Sequence, residues 1–162
     1  MADTAGMIPQ LIDAAALLGE LQATTKEAAL KELLAAALAA GAFPAKAQKG
    51  LQKRLSDREA IGSTGLGNTV AVPHVKGDEV ARTTLVLARC KTGIEWQAID
   101  GRPVHTIFLL VSPASEPESH LQCLRWIASL ARSADFRRFL HEAKDPSAMR
   151  ELLREMTAKV GL

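Results

Sequence analysis

The chain has 162 residues, enough for one real core; a domain of this size buries roughly 70% of the surface its unfolded chain exposes. Apolar residues make up 48% and charged residues 23%, which excludes wholesale disorder, and a net charge of +2 without any Lys/Arg-rich block predicts neither a nucleic-acid nor a membrane-surface footprint. Cys90 and Cys123 lie far apart in no metal-ligand spacing, Met1–Gln10 lacks the pattern of a secretory signal, and the longest apolar run, Leu33–Ala40, is far short of the roughly 20 residues a membrane helix needs, so a cytoplasmic chain with reduced thiols is expected.

The stretch up to Thr24 is open to two readings: Ile8–Leu11 as the start of a strand, and the Ala/Leu-rich Asp13–Leu21 as a short helix. Thr24-x-x-Glu27 predicts a capping box, and Leu30, Leu33, Leu34, Ala37 and Leu38 follow with amphipathic helical spacing until Gly41. A second helix is expected from Pro44 or Ala45 to Leu55, burying Ala47, Leu51 and Leu55. Ser56–Glu59 and the Gly-rich 62–68 segment come next, then a strand at Val70–Val72 that Pro73 and His74 terminate or edge. Thr83–Ala88 is β-branched and apolar. Val104–Val111 is nearly continuous apolar, the pattern of a strand buried on both faces. Gly93–Arg102 between them is a turn and connector, with Asp100-Gly101 as the turn signal.

The last third is helical. Ser115-x-x-Glu118 predicts another capping box with Pro117 in the first turn, and Leu121, Leu124, Ile127, Ala128 and Leu130 supply a stripe. Phe136, Phe139 and Leu140 mark a short helix, and Asp145-Pro146 opens a final one carrying Ala148, Met149, Leu152, Leu153, Met156 and Val160. Strands flanked by helices predict one α/β domain over residues 1–162, a three-layer α/β/α sandwich (α+β in some schemes). Short connections between strands predict a mixed central sheet.

The chemistry concentrates in Arg58–His74. Gly62, Gly65 and Gly67 allow a loop to aim several N–H groups at one point, Ser63 and Thr64 add hydroxyls, and Arg58 adds a guanidinium suited to phosphate oxygens. Gly62-x-x-x-x-Gly67-Asn68-Thr69 matches a P-loop except at the lysine, where Asn68 stands, and it leads into a strand rather than a helix, which argues against an NTPase. The dinucleotide fingerprint lacks its third glycine, and there is no Gly-x-Ser-x-Gly elbow. What remains is a phosphate-friendly loop beside a histidine, whose neutral ring has one lone-pair nitrogen able to attack phosphorus.

Arg58-Glu59, Gly62–Asn68 and Val70-Ala71-Val72-Pro73-His74 together resemble the signature of enzyme IIA domains of the phosphoenolpyruvate-dependent phosphotransferase system, fructose–mannitol class, which includes the nitrogen-regulatory IIA proteins. Lys26-Glu27, the Val104–Val111 strand, His120-Leu121 and Ile127-Ala128 fall in that family's order, so the likeness covers most of the chain. The resemblance implies that His74 is phosphorylated, at Nε2, by the phosphocarrier HPr or an HPr-like protein. It implies that His120 is the second site histidine, that Arg58 neutralises phosphate charge, and that Gly62, Ser63, Thr64, Gly65, Gly67 and Asn68 shape a phosphate pocket. It also implies a mixed sheet between helical layers and no metal or organic cofactor. The phosphate would go to an enzyme IIB, as in sugar uptake, or act as a regulatory signal toward a target protein. The competing reading is a non-catalytic anion-sensing or protein-binding module of the same fold. Two positions depart from the pattern: Thr69 stands where the family usually has glycine, and Val75 where a small residue follows the histidine. A β-branched Thr69 is expected to stiffen the loop or narrow the pocket.

The other side chains have plainer expectations. His105 is a hydrogen-bonded strand residue, and His141 complements a helix C-terminus. Trp96 and Trp126 fill space. Arg58 has the alternative of pairing with Asp57 or Glu59. A zinc site from His74, His105 and His120 has no supporting carboxylate or thiolate spacing.

Overall fold

The apolar run around Val104–Val111 becomes the axis of the sheet. The computed structural model describes residues 4–160. Its elements in chain order are α1 (Thr4–Ala14), β1 (Ala16–Leu18), α2 (Lys26–Ala39), a 3-10 turn at Ala45–Ala47, α3 (Gln48–Ile61), β2 (Gly65–Gly67), β3 (Val70–Ala71), β4 (His74–Gly77), β5 (Thr84–Ile94), β6 (Val104–Pro113), α4 (Pro117–Arg132), α5 (Ala134–Glu142) and α6 (Pro146–Lys159).

β5 runs antiparallel to β6, from Thr84 opposite Val111 to Ile94 opposite Val104, and β1 joins the outer side of β5 in parallel. On its other side β6 pairs in parallel with two short strands laid end to end. β3 sets Val70 opposite Thr106, and β4 sets His74 opposite Leu110. β2 closes that edge antiparallel to β3. The sheet is therefore mixed, as expected. Side chains alternate across β6: Ile107, Leu109 and Val111 pack with residues of α2 and α3, whereas Phe108 and Leu110 pack with α1, α4, α5 and α6. Both faces are buried, and the three-layer expectation holds.

Several boundaries differ from the sequence reading. The N-terminal alternatives are both overturned in order: Ile8–Leu11 is helical, and the strand lies at Ala16–Leu18. Ile8, Leu11, Ile12 and Ala15 recur at helical spacing and are all buried. The capping box at Thr24 does not form. Thr25 is the N-cap, accepting from the Ala28 amide at 3.2 Å, and Glu27 instead accepts from Ser56 Oγ on α3 at 2.8 Å. Glu116 rather than Ser115 is the N-cap of α4, with no side-chain cap, while Pro117 does occupy the first turn. Leu121 is 48% exposed; the buried face of α4 is His120, Cys123, Trp126, Ile127 and Leu130. The second helix runs on through Ile61, so Arg58 and Glu59 sit in its last turn. β5 continues through Gly93, which takes φ +80° and has the His105 ring about where a Cβ would point. The strand expected over Val70–Val72 ends at Ala71, Pro73 stands in the interruption, and His74 does not terminate the line but opens the next strand.

Other expectations hold in detail. Gly41 ends α2 with φ +84°; its amide bonds Leu38 O at 2.9 Å and that of Ala42 bonds Ala37 O at 3.1 Å, a Schellman closure. Asp145 caps α6 through the Ala148 amide at 2.8 Å. Arginines close helix C-termini from a distance. Arg82 reaches Ala40 O after α2, Arg89 reaches Leu140 O and Ala143 O around the end of α5, and Arg150 reaches the carbonyls of Ile12, Asp13 and Ala15 around the end of α1.

The turn joining β2 to β3 explains the departure at Thr69. Gly67, Asn68 and Thr69 have φ of +83°, +55° and +67°. Two successive left-handed residues make the tight hairpin that Asn-Gly favours, and a β-branched residue is strained there. Thr69 lines a cleft with His105, Thr106 and Arg137, away from His74, so it does not narrow the pocket of that histidine. Thr69→Gly is expected to raise stability by about 1 kcal/mol, read as a higher urea midpoint at unchanged m-value. A lower midpoint would show the turn to be unstrained.

Candidate functional site

His74 opens β4 directly after Pro73. Alternate residues of a strand direct their backbone groups to opposite sides, and the carbonyls of Thr69 and Pro73 both accept from β6. Val72 therefore turns the other way. Its amide donates to Thr64 O at 3.0 Å, and its carbonyl meets His74 Nδ1 at 2.7 Å. A carbonyl only accepts, so the ring proton is on Nδ1 and the lone pair is on Nε2.

Opposite His74 stands His120, the fourth residue of α4, its own amide bonding Glu116 O at 3.1 Å. The ring centroids are 5.6 Å apart, tilted by 54°. His74 is half-buried; His120 is 5% exposed and its Nδ1 lies 2.7 Å from Ser112 Oγ on β6. In the β4–β6 register His74 faces Leu110 and Lys76 faces Ser112. The period of two puts His74 and Lys76 on the same side of β4, toward α4. Burial, then the nearby His74 and Lys76, pull the pKa of His120 from its ordinary 6.5 to about 4. His120 is thus neutral at physiological pH. Val75 turns to the other face and packs with the α2–α3 core.

The cleft over His74 is lined by Arg58, Ser63, Thr64, Leu66, Val72, Leu124, Arg125 and Ala128. Arg58 projects from the last turn of α3 and donates to Gly62 O at 2.5 Å. It makes neither of the ion pairs considered for it: Asp57 binds Lys53, and Glu59 binds Lys26 at 2.9 Å. More voluminous clefts elsewhere, one beside α1 and α4 and one between α2 and α3, hold no histidine or cysteine.

The Gly-rich segment is built differently from the expected amide nest. Glu59, with a side chain 6% exposed, accepts from Lys26 Nζ, from the Thr64 amide at 3.2 Å and from the Thr64 hydroxyl. Trp96 Nε1 donates to Thr64 Oγ1 at 3.1 Å, and Lys26 Nζ sits 5.4 Å from the centroid of the Trp96 ring. Trp96 is thus a bonded member of the site support as well as a buried filler. Ser63 Oγ donates to Trp96 O at 2.7 Å and accepts from the Gly65 amide at 3.0 Å. Both hydroxyls therefore tether the loop. Gly65 is required because a Cβ there would lie 2.7 Å from Ala98 Cβ. Gly67 and Asn68 sit at the hairpin turn against Asp100, whose Oδ2 accepts the Asn68 amide at 2.9 Å. The amides of Thr64, Gly65 and Asn68 are all engaged by protein oxygens. The sequence reading of 62–68 as one phosphate cradle is corrected accordingly: the segment becomes β2 and a turn, and Gly65, Gly67 and Asn68 do not line the His74 cleft.

His105 is not brought to the pair; its Nδ1 meets Cys90 O at 2.9 Å, as a strand histidine should. His141 ends α5 exposed, and the carbonyls it was expected to complement are held by Arg89. Among the described residues no three His, Cys, Asp or Glu side chains group as metal ligands would. Both cysteines are buried and free, and burial pushes the Cys123 thiol up to about 11. Ser112 and Arg125 escaped the sequence reading. An alternation count along β6 would have put Ser112 on the Phe108–Leu110 face, next to the α4 histidine. Arg125 carried no signal beyond lying near one turn past Leu121 on α4.

Fold and site together define a class: an α/β/α sandwich whose mixed sheet sets one imidazole at a strand start against a second, neutral one on the next helix. The chain belongs to the family described as "Phosphoenolpyruvate-dependent sugar phosphotransferase system, EIIA 2", whose sequence profile matches residues 10–156. It is similar to a nitrogen regulatory protein of Bradyrhizobium diazoefficiens, 32% identical over 90% of this chain and 94% of the relative. It is also similar to the fructose-specific EIIA component of Haloferax volcanii, 33% identical over 82% and 84%. The solved complex of enzyme IIA mannitol with phosphorylated enzyme IIB mannitol from Escherichia coli superposes with a TM-score of 0.73 at 19% identity, covering 86% of this chain and 94% of that one; it shares the fold. The family expected from the Arg58–His74 signature is borne out. Among the described residues no helix is long and apolar enough to cross a membrane.

The depressed pKa of His120 has a sign that can be measured. Between pH 6.5 and 4 an unfolded chain protonates this residue while the native state leaves it neutral, so stability falls as pH drops through that window. The contribution reaches roughly 3 kcal/mol at most. His120→Gln removes it: the loss of unfolding free energy between pH 7 and pH 4.5 is expected to be smaller than in the parent. Equal losses in the two proteins would contradict a buried neutral ring.

Proposed function

We propose that this chain, acting as one IIA domain over residues 1–162 in the cytoplasm, is a protein-histidine phosphocarrier. It takes a phosphoryl group on His74 Nε2 from HPr or an HPr-like protein. It then passes the group to an enzyme IIB or displays it as a regulatory signal. The observation that supports this reading is the 2.7 Å contact of His74 Nδ1 with the Val72 carbonyl, which leaves Nε2 the lone pair that an attack on phosphorus needs. Family membership supports the same chemistry.

In the transfer, His74 Nε2 attacks the phosphorus of the donor's phosphohistidine. The new N–P bond forms as the donor's N–P bond breaks, and that electron pair returns to the donor ring. Little covalent help is needed, so positioning and charge stabilisation supply the catalysis. Arg58 and Arg125 in the cleft neutralise the equatorial oxygens. Neutral His120 offers a ring N–H without bringing a second cation into a buried place. Ser63, Thr64 and Glu59 act at one remove, holding the segment that borders the cleft.

Incubation with phosphoenolpyruvate, enzyme I and HPr is expected to give an acid-labile, base-stable phosphate that is absent in His74→Ala. No label with any HPr-type donor would favour the non-catalytic binding module. His120→Ala is expected to slow labelling by roughly 100-fold, the scale of losing one preorganised donor, with little change in the urea midpoint at pH 7. Unchanged transfer kinetics would retire that role. Relatives of similar identity carry nitrogen-regulatory and sugar-specific names. Adding enzyme IIB to the labelled chain separates the two fates: rapid loss of label marks a relay, and persistence with phosphate-dependent target binding marks a signal.

A further inference from the structure

Among the described residues, Ser112 is the polar side chain of the sheet that hydrogen-bonds the His120 ring. It is fully buried, and it occupies the β6 position that continues the Phe108–Leu110 face toward α4. Both neighbours on that alternation are apolar, so a serine here is not explained by packing. Its hydroxyl lies 2.7 Å from His120 Nδ1, and among the described residues it has no other hydrogen-bond partner. Two arrangements fit that distance. If Nδ1–H donated to Oγ, the hydroxyl proton would be left buried without an acceptor. If Oγ–H donates to the Nδ1 lone pair, both groups are satisfied. Only the second leaves no orphan.

We infer that Ser112 is a positioning residue that donates its hydroxyl proton to His120 Nδ1 and so holds the second imidazole as its Nε2–H tautomer. The two rings of the pair are then oppositely prepared. His74 donates its Nδ1–H to the Val72 carbonyl and keeps a lone pair on Nε2; His120 accepts a hydrogen bond at Nδ1 and keeps N–H on Nε2. One ring is the nucleophile and the other a hydrogen-bond donor, although the residue type is the same. In the other tautomer the ring beside His74 would carry a lone pair on Nε2, and a lone pair repels phosphoryl oxygens. The catalytic consequence rests on the phosphocarrier reading above; the tautomer itself does not.

Nitrogen-15 NMR of the histidine-labelled, unphosphorylated full chain at pH 7 tests it without any donor protein. His120 is expected to show a pyridine-type Nδ1 and a pyrrole-type Nε2, the reverse of His74. In Ser112→Ala the His120 shifts should move toward an average of the two tautomers, and Ser112→Thr, which restores the hydroxyl, should return them. With HPr as phosphodonor, the labelling rate should fall roughly tenfold in Ser112→Ala and recover in Ser112→Thr, as expected for loss of a residue that orients a reacting ring. A pyrrole-type Nδ1 in the parent, or a Ser112→Ala protein with parental shifts and parental rate, overturns the inference. If the shifts behave as stated but His74 never labels, the tautomer assignment survives and the phosphocarrier reading fails.

Discussion

The site depends on how β6 is shared. One long, doubly buried strand carries β5 along one side and two short strands in line along the other, with Pro73 in the gap between them. A proline cannot donate to a ladder, so the second line must break there. Pro73 still accepts from the Leu110 amide, which holds the resumed strand in register. Val72, just before the break and beyond the start of β2, has a carbonyl that no strand claims. The ring of His74 takes it, and that contact selects the nitrogen left exposed. Strand register, ring orientation and the nitrogen that keeps the lone pair are three consequences of a single interruption.

A second constraint separates the two histidines. Both anchor through Nδ1, one to a main-chain carbonyl and one to a hydroxyl. His74 sits half-buried at a cleft. His120 is nearly enclosed, on the first turns of a helix and within reach of Lys76, all of which favour its neutral form. Depth in the fold thus sets the accessibility of one ring and the charge of the other. The Glu59–Lys26–Thr64–Trp96 network keeps the bordering segment in place, using an ion pair whose carboxylate is nearly fully buried.

Much of this was legible in the sequence. Apolar runs located β5 and β6, the Asp145-Pro146 cap located α6, and the motif from Arg58 to His74 located the family. The errors have physical sources. Thr24 and Thr25 are adjacent cap candidates, and local spacing cannot say that Glu27 prefers Ser56 on a helix 29 residues away. The glycines of 62–68 suggest a phosphate cradle because that composition serves anion nests. Here one glycine admits Ala98 at close range and another forms a hairpin turn, contacts made by a connector 33 residues downstream. Hydroxyls at Ser63 and Thr64 face the cleft's border but bond inward, to Trp96 and Glu59. Composition identified the region; tertiary partners decided what each side chain does in it.

The arginine closures of the helices carry a further consequence. Arg150 lies on the last helix yet satisfies the carbonyls that end the first, and Arg89, on a central strand, does the same for α5 while also holding Gly19 O. Each of these helix ends is thus bonded by a cation from another part of the chain. Fraying at one such end strands a guanidinium elsewhere, so small openings at the periphery are coupled and tend to occur together or not at all. The outer layer that backs the histidine pair is therefore tied at its helix ends as well as along its buried faces.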